Sequence, residues 1–516
     1  MFLNWQYGRR PVFLIQHLSP WQSDYREEFL VMTEDSGGSK IFTIADQSEF
    51  ARLSGDHNPI HMDYIAARRT PAGAPVVHGM HAVIWALDLI AQDCPASEIG
   101  SINARFAGFI YLDDPVELRL VQRTKRTARF ELITRGKSAV FVSLGLSYEC
   151  LKSSEPGVAP EVPEISKATE SPNAPTFEEL SGLSGRLVQT VCEGLEQRFP
   201  HAAEVITAKR LGGLAQLSNL VGMIAPGLHS IFAGFDVDFV EDLATTSGLR
   251  FSVADTDPRF RLVRMDVAGS GLVGKVTAFS RWPPIDSPPL TDLAAHVKSS
   301  EFGAGVALIL GGSRGLGAVT AKILALGGTK TIITFAQGEE DACKLAREIN
   351  TACGPESCST LHVDVRKDVR VQLASLASAV THFYYFATPP ILSQNEGVFS
   401  PDLYAIFSRF YLTGFFEALQ FLLPQARNGI LSAFYPSSAY VEARPSGMTE
   451  YSMAKMAGEL LCADLNRSYR RHLRIHVERL PRVLTDQTAS LTPTETADPV
   501  ATMLPVIRSV YSSGLN

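Results

Sequence analysis

The fold of the first half of the chain is decided by a stretch that occurs twice. Residues 50–61 read FARLSGDHNPIH, and residues 217–229 read LSNLVGMIAPGLH, with one residue inserted. The second copy keeps the proline and the final histidine of the first, whereas Met223 stands where the first has Asp56. The match indicates an internal repeat, which has to be weighed before any single motif.

Two more pairs of segments match in the same order. INARFAGFIYLDD (102–114) resembles SIFAGFDVDFVED (230–242), and RFELITRGKSAVFVSLGLSY (129–148) resembles RFRLVRMDVAGSGLVGKVTAFSR (259–281). The last pair alternates apolar and polar residues around a glycine-containing turn, which is typical of half-buried antiparallel strands. Three matches in one order predict a duplicated α+β unit.

The rest of the chain has a different pattern. VALILGG (306–312) begins as a short buried strand, a helical pattern follows, and TIITF (331–335) predicts the next strand before another helix. Strands that alternate with helices indicate an α/β doubly wound parallel sheet.

Two proline-rich stretches predict the boundaries. Residues 152–175 and 283–300 are interpreted as linkers, which leaves blocks at about 1–151, 176–282 and 301–516. A chain of 516 residues is too long for one hydrophobic core, so several domains are expected.

The composition excludes several classes of protein. The net charge is −7 and the basic residues are dispersed, so no nucleic-acid surface is predicted. Seven cysteines without a CxxC pair favour reduced thiols and a cytoplasmic protein. No signal peptide and no apolar run of membrane-spanning length is apparent, so no membrane partner is expected.

The first candidate site lies in LSGDHNPIH (53–61). Gly55 and Pro59 constrain the backbone around Asp56, and His61 follows five residues later. A carboxylate and an imidazole that face one pocket can hold a water, deprotonate it and supply a proton to carbon. The alternative is an Asx turn in which Asp56 caps a helix and His61 is solvated.

A family resemblance favours the catalytic interpretation. The motif S-G-D-x-N-P-I-H-x-D, followed by VVHGMH (76–81), resembles the MaoC-like (R)-specific enoyl-thioester hydratases, which have the hotdog fold. The resemblance implies that Asp56 and His61 are the catalytic pair, that Asn58 supports the loop and that the amide of Gly79 binds the thioester oxygen. Three neighbouring histidines are not assigned to catalysis: His57, His78 and His81.

The second copy is interpreted as a degenerate hotdog. It keeps His229 but lacks the acid, and no HGM segment precedes its next strand. In the family the acyl chain lies between two hotdog units, so an inactive copy can still shape a tunnel. His229 itself is interpreted as a structural histidine.

The second candidate site begins in LGGSRGLG (310–317), between a strand and a helix. Glycines there let the backbone approach a pyrophosphate at the helix N-terminus. No acidic residue follows the next strand, which ends ITFAQG, and Arg314 can meet a 2′-phosphate. NADP(H) is therefore favoured over NAD(H), and no metal is predicted.

YSMAK adds Tyr451 and Lys455, and Ser438 precedes the tyrosine by thirteen residues. Glycine loop, serine and Y-x-x-x-K in this order resemble the short-chain dehydrogenases/reductases, in particular the ketoacyl-thioester reductases, over residues 301–516. The resemblance implies that Ser438 orients a carbonyl, that Tyr451 protonates it and that Lys455 binds ribose and tunes the tyrosine. It implies these cofactor contacts: Gly311, Ser313, Arg314, Gly315, Leu316, Gly317, Asp364, Lys455 and Thr485.

The chain departs from that family at several points, among them YFAT (385–388) and Pro481-Arg482. Leu310 replaces the usual threonine of the glycine loop, and Phe410 and Tyr411 stand where the helix asparagine of the catalytic tetrad is expected. The proton relay through that asparagine is thus in doubt. The sequence ends at SSGLN, before a last strand that relatives have, so a truncated or diverged C-terminus is expected.

Together these features predict an α+β double hotdog, with a degenerate second copy, followed by a Rossmann-type α/β domain. The expected enzyme reduces a 3-ketoacyl thioester with NADPH and interconverts 3-hydroxyacyl and trans-2-enoyl thioesters of CoA or an acyl-carrier protein. A homodimer or higher homo-oligomer is expected. Two alternatives stay open: only one site is active, or the chain is an acyl-carrier docking scaffold.

Overall fold

A computed structural model of the chain describes most of it. The description covers residues 38–92, 99–146, 164–165, 171–188, 194–240, 248–303, 305–376, 379–391, 398–426, 429–486, 488 and 494–513. Within these residues no helix is both long and apolar enough to cross a bilayer.

The first repeat unit is an antiparallel sheet built around one buried helix. Every residue of that helix from Met80 to Leu87 is buried, as expected of a helix that is apolar on all sides. The elements of the unit are β1 Ser39–Ile41, α1 Ile44–Ser54, α2 Tyr64–Ala67, α3 Gly79–Gln92, β2 Ile99–Phe106, β3 Pro115–Arg123, β4 Thr127–Thr134 and β5 Lys137–Leu146.

The second repeat unit has the same strands but not the central helix. A π-helical turn, Leu220–Ile224, extends its last helix, and the next strand starts directly after His229. Its elements are β6 Glu164–Ile165, β7 Ser184–Leu187, α4 Leu195–Arg198, α5 Pro200–Ile206, α6 Ala208–Asn219, β8 Ser230–Phe239, β9 Leu249–Asp257, β10 Leu262–Gly269 and β11 Leu272–Ser280.

The two units form one continuous sheet. β2 pairs antiparallel with β8, and the eleven strands run in the order β1-β3-β4-β5-β2-β8-β11-β10-β9-β7-β6. Outward from the β2–β8 joint, each strand of the first unit has its repeat partner at the matching place in the second, and β6 is an additional strand at the far edge. This arrangement confirms the predicted double hotdog, and one hydrophobic core runs through both units.

The third unit is a parallel sheet in the order β14-β13-β12-β15-β16-β17, with helices between the strands, which confirms the predicted doubly wound fold. Its elements are α7 Leu290–Ala294, β12 Val306–Leu310, α8 Gly315–Leu326, β13 Lys330–Phe335, α9 Glu339–Cys353, β14 Cys358–His362, α10 Val369–Leu373, β15 His382–Tyr385, α11 Pro401–Ser408, α12 Phe415–Leu422, β16 Leu431–Ser438, α13 Tyr440–Ala443, α14 Thr449–Ser468, β17 Leu473–Leu480 and α15 Pro499–Ser513.

The two proline-rich segments differ in how far the structure describes them. Most of 152–175 lies outside the described residues. Segment 283–300 contains α7, whose Leu290 and Leu293 are buried in the core of the third unit. Lys322 also donates a hydrogen bond to the carbonyl of Pro288. This segment is therefore packed against the third unit along part of its length.

The β2–β8 joint depends on Gly234, where the two backbones approach closely. A Cβ on Gly234 would lie 2.5 Å from the carbonyl oxygen of Ala104. We expect Gly234→Ala to force the strands apart and lower the thermal unfolding midpoint, at a cost of about 1–3 kcal/mol. Gly108→Ala is the matched control, because its Cβ would meet only ordinary contacts at 3.8 Å. Equal midpoints for the two variants would contradict the close joint.

Candidate active sites

The Asp56 loop begins where α1 ends in a left-handed glycine. Gly55 has φ 78°, and the chain then turns so that the Asp56 amide donates to Ser54 Oγ at 3.1 Å. Asp56 Oδ1 accepts the amide of Asn58 at 3.2 Å, and Asn58 in turn caps the 3-10 turn Pro59–His61. The Asx turn of the structural alternative is therefore present. It holds the Asp56 carboxylate in place and does not exclude a catalytic role.

The second repeat unit closes this loop from the other side. Ser218 Oγ donates to Asp56 Oδ2 at 2.7 Å, and a Cβ on Gly222 would overlap the Asp56 carboxylate. Asn58 Nδ2 donates to the carbonyls of Gly222 and Gly227 at 2.8 and 3.1 Å. Asn58 thus supports the loop by tying it to the second unit, and Asp56 is 2% exposed.

His61 presents one ring nitrogen to the site. Its Nδ1 lies 2.8 Å from the carbonyl of Val76, which can only accept, so Nδ1 carries the hydrogen and Nε2 keeps its lone pair. One polar atom from each of Asp56, His61 and His78 lies within 4.8 Å of the others. That spacing lets a single water bridge the Asp56 carboxylate and the imidazole of His61.

Burial shifts both groups of the pair towards their neutral forms. It raises the pKa of Asp56, although His61 and the Ser218 hydrogen bond act in the opposite direction. It lowers the pKa of His61, against the attraction of the Asp56 carboxylate. These opposite shifts bring the proton affinities of the two groups closer together, which suits a pair that must both take and give a proton.

His78 has a supporting place beside the pair. Its ring stacks on His61 at 3.7 Å between centroids. Its Nδ1 lies 2.8 Å from Gln47 Oε1 and its Nε2 lies 3.0 Å from the Asp56 carbonyl. Each ring nitrogen thus faces a protein oxygen, so the Gln47 side chain and the Asp56 backbone hold the His78 ring in place beside the pair. His81 is buried and stacks on Phe50, while His57 donates its amide to the sulfur of Met223.

Gly79 is the first residue of α3, so the helix itself provides no acceptor for its amide. A Cβ there would lie 2.7 Å from the ring of Phe106, which only glycine avoids. Phe106 from β2 packs on Phe232 from β8 at 4.9 Å between centroids. A backbone amide to which its own helix provides no acceptor therefore lies beside an aromatic wall formed by both units.

The other site is a cleft of about 950 Å³ at the carboxyl edge of the parallel sheet. In the glycine loop, a Cβ on Gly311 (φ 82°) would lie 2.7 Å from the Ala387 amide, and one on Gly317 would lie 2.9 Å from Gly312 Cα. α8 starts within the loop at Gly315. A tight backbone turn at a helix N-terminus fits a dinucleotide pyrophosphate.

All predicted cofactor contacts line this cleft. Arg366 Nη2 donates a hydrogen bond to Asp364 Oδ2 at 2.8 Å. A contact of Asp364 with adenine would therefore use a carboxylate that also binds Arg366. The Thr485 side chain lies against the glycine loop at Gly315. Six basic side chains and two carboxylates line the cleft, an excess that suits an anionic ligand: Arg68, Arg314, Arg366, Arg409, Lys455 and Arg482, with Asp364 and Asp486.

The predicted catalytic residues Ser438, Tyr451 and Lys455 meet in the same cleft. The hydroxyls of Ser438 and Tyr451 share a hydrogen bond, and burial raises the pKa of Tyr451 to about 12, so the phenol keeps its proton. Lys455 Nζ donates to the carbonyl of Pro436 at 2.6 Å, and burial lowers its pKa to about 7.

Tyr411 occupies the place where an asparagine is expected. It belongs to the π-helical turn Arg409–Gly414, and its ring centre lies 3.9 Å from Lys455 Nζ. Its hydroxyl shares a hydrogen bond with Thr388 at 2.5 Å, and its ring packs edge-on against Tyr451. The cation of Lys455 thus faces an aromatic ring where the family has an amide.

The sequence interpretation missed four residues of the two sites: Gln47, Arg68, Ser218 and Gly222. Ser218 and Gly222 contact Asp56 only because the repeat units dock. Their place in the second copy of the repeat, close to Met223, was the one available hint.

Comparison with known families matches two parts of the chain. Residues 37–140 match the family described as MaoC like domain, and residues 305–496 match the family described as short chain dehydrogenase. The chain therefore joins a MaoC-like domain to a short-chain dehydrogenase domain.

Two curated proteins are similar to parts of the chain. The (R)-specific enoyl-CoA hydratase of Aeromonas caviae is 34% identical over 82 residues, which are 16% of this chain and 54% of the hydratase. The fatty acid synthase beta subunit stcK of Emericella nidulans is 32% identical over 120 residues, which are 22% of this chain and 6% of the subunit. The chain thus spans about half of the first relative and a small part of the second.

Solved structures are similar to the C-terminal part. A short chain dehydrogenase from Escherichia coli CFT073, complexed with NADPH, is 19% identical with a TM-score of 0.38, covering 42% of this chain and 93% of that one. L-sorbose reductase from Gluconobacter frateurii, complexed with NADPH and L-sorbose, is 17% identical with a TM-score of 0.33, covering 35% and 71%.

The buried carboxylate of Asp56 should make the fold less stable at neutral pH. Its pKa in the folded protein is raised above the ordinary 3.8, so ionisation costs stability above that pH and nothing below it. We expect Asp56→Asn to raise the unfolding midpoint at pH 7 to 8, with the gain vanishing towards pH 3.8 and below. Unfolding midpoints measured against pH test this.

Asp46→Asn is the control, because its effect on stability should have the opposite sign to that of Asp56→Asn. Burial opposes its ionisation, but the hydrogen bonds from Thr43 and the charge of Lys40 outweigh burial and lower its pKa. Asp46→Asn should therefore lose stability at neutral pH, with the loss fading as pH falls through that lowered pKa. An Asp56→Asn variant that is less stable at every pH would mean that the carboxylate is mainly structural.

Proposed function

We propose that the chain is a bifunctional enzyme of acyl-thioester metabolism. The MaoC-like domain would interconvert 3-hydroxyacyl and trans-2-enoyl thioesters, and the dehydrogenase domain would reduce 3-ketoacyl thioesters with NADPH. The observation that carries the proposal is the presence of two complete proton-transfer sets, Asp56 with His61 and Ser438 with Tyr451 and Lys455. Their chemistries share the 3-hydroxyacyl thioester.

The geometry of the first site supports hydration across the double bond. Nε2 of His61 takes a proton from the bridging water, the water oxygen bonds to C3, and protonated Asp56 delivers a proton to C2. A proton passed from His61 to Asp56 then resets the pair. The Gly79 amide donates to the thioester oxygen as charge builds there. The wall of Phe106 and Phe232 suits an acyl chain.

The second site supports reduction of a carbonyl. When bound, NADPH supplies the hydride to the carbonyl carbon. Ser438 donates a hydrogen bond to the carbonyl oxygen and Tyr451 donates its phenolic proton to it. Lys455, in its ammonium form, favours the phenolate that Tyr451 becomes. Arg314, and the absence of an acid at Gln337 after β13, favour NADP(H) over NAD(H).

The substrate class is supported by the names of the relatives. The Aeromonas protein is an enoyl-CoA hydratase and the Emericella protein is a fatty acid synthase subunit. By analogy, a thioester of CoA or of a carrier protein is the proposed substrate of both domains.

A second candidate is a dehydratase whose dehydrogenase domain binds nucleotide without turnover. The position of Tyr411 favours it, because an aromatic ring over Lys455 replaces the amide that relays protons in the family. Purified protein with NADPH and a 3-ketoacyl thioester distinguishes the two candidates, since only the bifunctional enzyme consumes NADPH.

Single variants should separate the activities. Asp56→Asn should lower the rate of hydration of an enoyl thioester by at least about 100-fold, since general acid–base catalysis contributes that much, and should leave NADPH-dependent reduction unchanged. Tyr451→Phe should do the reverse. Each variant is the control for the other, and surviving hydration in Asp56→Asn would show that the acid is misassigned.

A further inference from the structure

One guanidinium in the cofactor cleft comes from the MaoC-like domain. Arg68 directly follows α2 of the first repeat unit, yet its side chain lines the cleft of the dehydrogenase domain. Tyr64 and Ala72 from the same segment also line it. The first unit therefore forms part of the nucleotide site.

The side chain of Arg68 reaches the backbone that follows β13. A Cβ on Gly338 would lie 2.6 Å from the guanidinium carbon of Arg68, so the guanidinium packs against the backbone at Gly338. Ala336 and Gln337, which follow β13, line the cleft beside it. In dinucleotide-binding folds the chain just after the second strand meets the adenine-side ribose, where the 2′-hydroxyl or 2′-phosphate is read.

The guanidinium has donors to spare. Arg68 Nη2 pairs with Asp341, whereas Arg68 Nε is buried without a hydrogen-bond partner among the described residues. Arg314 Nη1 donates to the Arg68 backbone carbonyl at 3.0 Å, and both arginines line the cleft. A phosphate dianion is best bound by such paired, fork-shaped donors.

From this geometry we propose that Arg68 binds the 2′-phosphate of NADP(H) together with Arg314. The docked MaoC-like domain would then contribute to the preference of the dehydrogenase domain for NADP(H) over NAD(H). The proposal rests on the proposed NADPH-dependent function and names a residue for it that lies outside the dehydrogenase domain.

The alternative is that Arg68 only docks the two domains through Asp341. Arg69 provides the comparison, because it also joins the domains, through Asp286, Asp341 and Asp486 at 3.3, 3.8 and 3.8 Å, but is not among the residues that line the cleft. Asp341→Asn provides a second comparison, since it removes the ion pair of Arg68. A docking role predicts that Arg68→Ala and Asp341→Asn act alike, whereas a phosphate-binding role predicts that only Arg68→Ala weakens NADP⁺ binding.

The test is calorimetric binding of NADP⁺ and NAD⁺ to the full chain, without thioester. Arg68→Ala should weaken NADP⁺ binding by about 10- to 100-fold, the cost of a charged hydrogen bond, and leave NAD⁺ binding unchanged. Arg69→Ala should change neither. Asp341→Asn should keep NADP⁺ binding or tighten it. Thermal unfolding of each variant checks that the domains stay folded.

The proposal is overturned if Arg68→Ala weakens both nucleotides equally, weakens neither, or behaves like Asp341→Asn. Wild-type protein that binds NADP⁺ through Arg68 but does not reduce a 3-ketoacyl thioester would sink the proposed reductase and leave this site in place. Reduction by Arg68→Ala with unchanged NADP⁺ affinity would do the opposite.

Discussion

The contact between the Asp56 carboxylate and the backbone of Gly222 is the constraint on which the first site depends. No side chain fits at Gly222, and Ser218 from the same helix donates to the carboxylate. Asp56 is therefore placed by the second repeat unit as much as by its own loop. The second copy carries Met223 in place of the acid, next to the amide of His57, yet its Ser218 and Gly222 still contact the carboxylate of the first copy. The second copy can therefore lack the acid and still be needed to hold Asp56 of the first copy in place.

Residues 72–76 of the first unit lie between the Asp56–His61 site and the cleft of the dehydrogenase domain. Val76 accepts the hydrogen bond of His61 and forms a β-bridge with Tyr111. The Tyr111 hydroxyl donates to the carbonyl of Ala72, and both residues line the dehydrogenase cleft. The residues that hold His61 therefore lie next to residues that line the cleft of the dehydrogenase domain. If the two proposed activities share an intermediate, this proximity gives a physical reason for joining them, because tethered sites raise its effective concentration.

Local patterns predicted the fold well. Alternating residues around the glycine turns of 129–148 and 259–281 became the β4–β5 and β10–β11 hairpins, and VALIL became the first strand of the parallel sheet. The contacts of Ser218 and Arg68 could not be predicted, since each joins segments more than 160 residues apart and leaves no periodic signal. The interpretation of 283–300 as a linker rested on its prolines. Prolines indicate the local backbone conformation, but they do not indicate that Leu290 is buried. The missing asparagine was visible in the sequence, but the ring of Tyr411 over Lys455 was not.

The most direct test of a shared intermediate starts from a 3-ketoacyl thioester and NADPH in one vessel with the wild-type chain. We expect loss of NADPH absorbance, transient 3-hydroxyacyl thioester, and then 2-enoyl thioester with its conjugated absorbance. NADPH that remains unconsumed would contradict this expectation. So would NADPH that is consumed while no enoyl thioester ever forms.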